Sequence, residues 1–124
     1  MGKKDLIKEK IKKRKRRQVR VRARGNGTTR KPRFSIFRSN YHIWCQLIND
    51  EKGETILAAS DKELKLKAKT KKTKTKIAYE IGKLMADKAR EKGVKEVFFD
   101  RNGYKYHGRV KKIAETLREK EIKF

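Results

Sequence analysis

Acidic residues are scarce in this chain: 15 Asp and Glu stand against 39 Lys and Arg over 124 residues, a formal charge of +24. A body that small repels itself strongly at such a charge, which implies a polyanionic partner. Cysteine occurs once, at Cys45, so neither an intrachain disulfide nor a cysteine-based zinc site can form, and the chain suits a reducing cytosol. Cys45 lies in a strand pattern with no sequence-adjacent general base, and it reads as a small buried apolar residue rather than a nucleophile. Long apolar runs are missing too. The longest, Ile56 to Ala59, is far too short for a membrane span or a secretion signal. No basic helix with a broad Trp, Phe and Leu face is available for a lipid surface. Nucleic acid remains as the partner that fits, and the length favours one domain on a prior of roughly 100 to 200 residues.

What is present begins with charge. Residues 1–24 hold thirteen Lys and Arg and two acids, with Leu6, Ile7, Ile11, Val19, Val21 and Ala23 as nearly the only apolar groups. Such a segment cannot bury enough surface to fold alone. Lys4 to Arg17 contains reasonable helix formers, yet Leu6, Ile7 and Ile11 give only a short stripe, so disorder in solution and ordering on an anionic scaffold are expected. Gly25-Asn26-Gly27 ends the segment. The expected organisation is a flexible basic arm over 1–31 and a globular body over 32–124.

In the body, Arg33 to Arg38 alternates loosely, with Phe34 and Ile36 on one face. After the tight connection Arg38-Ser39-Asn40, the residues Tyr41, Ile43, Cys45 and Leu47 alternate with His42, Trp44, Gln46 and Ile48, and Thr55 to Ala59 follows the turn Asn49 to Gly53. Three strands with short turns predict an antiparallel meander. His42, Trp44 and Gln46 share a face that could stack on and hydrogen-bond to unpaired bases. A lone tryptophan is usually well buried, however, and Trp44 is expected under the helices. Asp61 to Lys76, with seven lysines from Lys65 onward, reads as a mobile basic loop or an irregular helix start. Thr73 or Thr75 can cap a helix with apolar positions Ile77, Ile81, Leu84, Met85 and Ala89, closed by Lys92-Gly93. Val94 to Asp100 is the predicted fourth strand and Arg109 to about Lys120 the last helix. The fold class is α+β, in the order β-β-β-α-β-α, with both helices packed on one sheet face and the other face free.

The stretch from Val97 to Val110 is the most specific in the body. Val97, Phe98 and Phe99 suit a strand buried on both faces, and Asn102-Gly103 is a turn dipeptide because both residues tolerate positive φ. Two tyrosines, His107 and the cations Arg101, Lys105 and Arg109 follow within nine residues. Val110, Ile113, Ala114 and Leu117 then keep helical spacing. The loop thus lies between a strand end and a helix start, where backbone N–H groups favour an anion such as phosphate. The ordinary alternative is a packed connector whose Tyr104, Tyr106 and His107 cover the core edge.

Two motifs carry a resemblance. Arg33-Phe34-Ser35-Ile36-Phe37-Arg38-Ser39-Asn40-Tyr41-His42-Ile43-Trp44-Cys45-Gln46 and Phe99-Asp100-Arg101-Asn102-Gly103-Tyr104-Lys105-Tyr106-His107-Gly108-Arg109-Val110 closely resemble, in order and distance, the bacterial large-subunit ribosomal protein L-eighteen family. The resemblance covers essentially the whole chain. It implies a structural protein of the translating ribosome in the cytoplasm, with no enzymatic activity and no cofactor or metal. It implies binding to 5S ribosomal RNA and help in attaching that RNA to the large-subunit rRNA at the central protuberance, beside neighbouring large-subunit proteins. The free protein is expected to be a monomer. RNA-facing positions would fall on the arm at Lys12, Lys13, Arg14, Arg16, Arg17, Arg20, Arg22 and Arg24, on Arg30 and Arg33, on Arg38, Ser39, Asn40 and His42 of the first motif, and on Arg101, Tyr104, Lys105, His107 and Arg109 of the second. The sequence departs from the family's common pattern at Tyr41, where lysine is frequent, at Trp44 and Cys45, where tyrosine and alanine are usual, and at Asn102, often glycine. Glu121 stands near a usual glycine.

Two other readings use the same residues. A general nucleic-acid condensing protein needs only the charge. A Mg-dependent nuclease would recruit Asp50, Glu54 and Asp100 as metal ligands, but Asp50 and Glu54 sit in an ordinary turn. A structural role is expected for Asp100, pairing with Arg101 or capping the N–H groups of its loop.

Overall fold

A computed structural model describes residues 2–64 and 73–124. Of the expected basic loop over 61–76, residues 65–72 therefore lie outside the described residues. Three strands follow the alternation read from the sequence: β1 (Arg33–Arg38), β2 (Ile43–Asn49) and β3 (Glu54–Ser60). They pair antiparallel, Ile36 opposite Cys45 and Leu47 opposite Leu57, with one irregularity after Leu47 that leaves Ile56 unopposed. A single 3-10 turn, Asp61–Glu63, closes β3.

Helix α2 (Lys74–Glu91) starts where Thr73 Oγ1 accepts from the Lys76 N–H at 3.2 Å, and it stops at Lys92, followed by Gly93 with φ 75°. It crosses the sheet from β3 to β4 (Phe98–Asp100), which pairs parallel with β1 on the far edge, in the order β3-β2-β1-β4. Helix α3 (Gly108–Glu119) returns beside α2. The two approach so closely that a Cβ on Gly82 would lie 2.9 Å from the Thr116 Cβ. Phe34, Ile36, Ile43, Cys45 and Leu47 of the sheet bury themselves against Ile81, Met85, Val110, Ile113 and Leu117, and each such large side chain contributes about 1.5–3 kcal/mol. Burial pushes the Cys45 thiol up, so it packs as a neutral apolar group, as its place in the strand pattern implied.

Three expectations are corrected. The fourth strand is shorter than Val94 to Asp100: the N–H of Val97 donates to the Lys123 carbonyl at 2.9 Å and that of Lys123 to Lys95 at 3.0 Å, so the C-terminal tail takes the ladder positions before Phe98. Trp44 is not under the helices. Alternation puts it on the opposite face, half-buried and stacked on Phe37 with ring centroids 5.7 Å apart. That face is also not wholly free, because residues 3–22 form a helix, α1 (Lys3–Arg22), whose last turns lie over Arg33, Asp100 and Asn102.

Glu121 follows α3 with φ 65°, in the region that favours glycine. A non-glycine residue there costs roughly 1–2 kcal/mol, and a carboxylate is ill-placed at the negative end of a helix dipole. Glycine's greater freedom in the unfolded chain returns about 0.4–1 kcal/mol of that. Glu121→Gly is therefore expected to stabilise the fold by about 0.5–1 kcal/mol. A melting curve that fails to rise would show that the Glu121 side chain is held by more than its backbone.

Candidate nucleic-acid interface

The two motifs meet at the ring of Tyr104. Its hydroxyl donates to the Arg38 carbonyl at 3.0 Å, its face is covered by the Arg14 guanidinium at 4.1 Å, and the Arg38 guanidinium lies 4.9 Å from the same centroid. Three segments thus converge: α1, the β1–β2 connection and the loop between β4 and α3. Nearby, Arg109 Nη2 donates to the Ser39 carbonyl at 3.3 Å. Arg109 is half-buried, and its guanidinium is held below the ordinary value by that burial first and by Arg38 next, with Asp61 and Tyr104 acting the other way. An arginine stays protonated regardless, so the direction reflects first the guanidinium's loss of water and only then its nearness to Arg38, a repulsion that a polyanion would relieve.

The loop conformation follows from its residues. Asn102 and Gly103 take φ 53° and 77°, as their types predicted, and Tyr104 N–H closes the turn on the Arg101 carbonyl at 3.0 Å. Arg101 donates to the Tyr104 carbonyl at 2.9 Å. Its guanidinium is also pushed down, by burial first and then by Arg17, Arg24 and Arg20. Helix α3 begins with no acid in its first turn and no side chain capping it, so its leading N–H groups remain available to an anion.

Behind the loop lies an ion network that sequence reasoning did not foresee. Arg33 donates to both oxygens of Asp50, Nε and Nη2 each at 3.1 Å, and through Nη1 to Asp100 Oδ2 at 2.9 Å. Burial works against the Arg33 charge, and these two carboxylates outweigh it, holding the guanidinium above its ordinary value. Asp50 is held low, first by Arg33, and also accepts from the Gly27 N–H at 2.6 Å. Asp100 is 1% exposed, and its Oδ1 accepts from the Asn102 N–H at 2.8 Å. The expected capping role is present, but its cation is Arg33 rather than Arg101. A guanidinium therefore occupies the space between the carboxylates that a metal site would have used, and Glu54 stands exposed at the start of β3.

Helix α1 is anchored to this loop by a polar stripe. Arg14 donates to the Asn102 carbonyl at 3.3 Å, Arg17 to the Gly103 carbonyl at 2.8 Å, and the Gln18 amide to the Asn102 side chain. Val21 completes the i, i+3, i+4, i+7 spacing and is the one buried apolar residue of the helix among those described, whereas Leu6, Ile7 and Ile11 are about half exposed. A Cβ on Gly103 would lie 2.5 Å from the Arg14 carbonyl, so glycine is needed there for contact as well as for φ.

The positions named from the sequence divide accordingly. Lys12, Lys13, Arg16, Arg20 and Arg24 of the arm are exposed, as is Arg30, in a turn closed by Thr28. Arg14, Arg17 and Arg22 are half-buried, Arg22 lying 3.6 Å from Asp50. Arg33 is enclosed by its two carboxylates. Arg38, Ser39, Asn40, His42, Lys105 and His107 are exposed around the Tyr104 cluster, with His42 Nδ1 3.1 Å from Asp61.

Residues 8–124 match the family model described as ribosomal L18 of archaea, bacteria, mitochondria and chloroplast. The chain is 52% identical over 99 residues to the large ribosomal subunit protein uL18 of Petrotoga mobilis, covering 79% of this chain and 81% of that one. It is 52% identical over 98 residues to the protein of the same name from Syntrophomonas wolfei, covering 79% and 81%. For that of Staphylococcus aureus the identity is 48% over 99 residues, covering 80% and 82%.

Proposed function

Since the chain belongs to the ribosomal L18 family, and is thus a structural, non-enzymatic protein of the large ribosomal subunit, we propose that it binds 5S ribosomal RNA and helps attach it to the large-subunit rRNA at the central protuberance. The ribosome in the cytoplasm is its place of work. The observation that carries the RNA reading is the convergence of Arg14, Arg38 and Arg109 with Ser39 around Tyr104, at the uncapped start of α3. Lysines and arginines of α1 neutralise phosphates, the loop and α3 start fix the register, and RNA shape supplies most of the specificity. Free of RNA, the chain is a monomer whose turns before Arg14, with side chains exposed over residues 4–13, fray and order only on the phosphate backbone.

The test separates the cluster from bulk charge. Arg109 lies at a helix start, where a cation opposes the dipole by a few tenths of a kcal/mol, and beside Arg38, which crowds it further. Arg109→Ala is expected to weaken 5S RNA binding by roughly 1–3 kcal/mol, the range of a charge-assisted contact, with the melting temperature unchanged or slightly raised. Lys12→Ala removes the same charge from an exposed helix position and should cost much less. Equal losses in the two titrations would reduce the site to total charge, while a collapsed melting curve for Arg109→Ala would assign the residue to the fold.

A further inference from the structure

Tyr41 stands out in the first motif because its ring is 85% exposed, the highest value among the large apolar side chains described. Packing does not account for that placement, and the backbone beneath it is not loose. Ser39 Oγ accepts from the N–H of Tyr41 at 3.3 Å and of His42 at 3.0 Å, and the Ser39 N–H donates to the His42 carbonyl at 2.8 Å. The turn is tied on its other side by Arg109, which donates to the Ser39 carbonyl at 3.3 Å. A hydrophobic ring is therefore presented outward on a fixed turn, between Arg38 and His42 and at the rim of the Tyr104 cluster.

An exposed aromatic ring on a rigid support among arginines matches the requirements for holding an unpaired base. The ring offers a face for stacking, nearby cations hold the flanking phosphates, and the fixed turn keeps the ordering cost low. We propose that Tyr41 stacks on an unpaired nucleobase of the bound RNA and supplies affinity that salt does not screen. This rests on the reading of the chain as a 5S RNA binder and extends it to a contact of a different physical kind. Stacking releases no counterions, whereas a cation at the same position would act through phosphate.

The full-length chain and its Tyr41→Ala, Tyr41→Trp and Tyr41→Lys variants, titrated against 5S RNA at several salt concentrations, test the idea. Tyr41→Ala is expected to lose about 5- to 150-fold in affinity, the alanine-substitution range for one stacked base, by the same factor at every salt concentration. Tyr41→Trp should retain the affinity. Tyr41→Lys should bind adequately at low salt and steepen the log-log salt slope by about 0.7–0.9. Alanine binding as tightly as tyrosine would overturn the proposal and leave the ring for a protein neighbour; an alanine loss that disappears at high salt would overturn it as well. A failure of the wild-type chain to bind 5S RNA would refute the function reading instead. The same wild-type and alanine proteins on single-stranded oligoadenylate would then decide the stacking claim, with equal affinities refuting it.

Discussion

Asp100→Ala is expected to destabilise the fold by about 3–5 kcal/mol, the range for breaking a buried ion pair from one side. Two separate losses lead there. Arg33, with its side chain 16% exposed, would retain only Asp50 of its two carboxylates, and the Asn102 N–H, on a residue 7% exposed, would lose its acceptor. An orphaned buried donor alone costs roughly 1–3 kcal/mol. Against a total stability of about 5–15 kcal/mol the change is severe and should lower the melting temperature by on the order of 10 °C or more. Asp100→Asn keeps an acceptor for the Asn102 N–H but loses the charge and turns an NH2 toward the Arg33 donor, so it should fall between. Thermal melts of the three proteins check the order. A wild-type melt for Asp100→Ala would place the stability of the loop elsewhere, and magnesium-dependent RNA cleavage abolished by the substitution would revive the nuclease reading that Arg33 now opposes.

The second large effect concerns salt. A complex that neutralises 6 to 10 phosphates is expected to lose about 10³–10⁵ in affinity between 50 and 200 mM salt. Thirteen of the chain's cations lie in residues 1–24, but the structure divides them. Those before Arg14 are six lysines on a part of α1 where Leu6, Ile7 and Ile11 remain about half exposed, whereas from Arg14 onward the helix is bonded to the loop. Deleting residues 2–13 should therefore flatten the slope by up to about 4–5, at 0.7–0.9 per contact, with an unchanged melt. Deleting 2–24 should flatten it further and also loosen the Asn102–Gly103 turn, seen as faster amide exchange there. An unchanged slope after the shorter deletion would show that this end of the arm does not touch RNA.

How far the sequence led depends on what each feature rests on. The meander was legible because Phe34, Ile36, Ile43, Cys45 and Leu47 alternate with residues of the other face, and β1 has the boundaries that alternation marked. Helix α2 was legible through Thr73 and Gly93, and the positive φ angles of Asn102 and Gly103 through their residue types. The anchoring of α1 was hidden because Arg14, Arg17 and Gln18 repeat at helical spacing with hydrogen bonds in place of apolar contacts, and a search for hydrophobic periodicity passes over them. The Arg33 network joins residues up to 67 positions apart, each of which reads alone as surface charge. Trp44 was misplaced by a general tendency of tryptophan, although its own register, one residue from Ile43 and Cys45, already put it on the opposite face. In the interface, both motifs were visible, but their meeting at Tyr104 depends on β4 pairing parallel with β1, which no local pattern encodes.

The most direct measurement is competition at moderate salt between 5S ribosomal RNA and an unrelated structured RNA of equal length for the purified chain. Preferential retention of 5S RNA, by a factor that Arg109→Ala reduces and Lys12→Ala leaves nearly intact, is the expected result. Equal occupancy of the two RNAs, with both substitutions acting alike, would contradict a specific site and leave a protein that condenses any polyanion through its +24 charge.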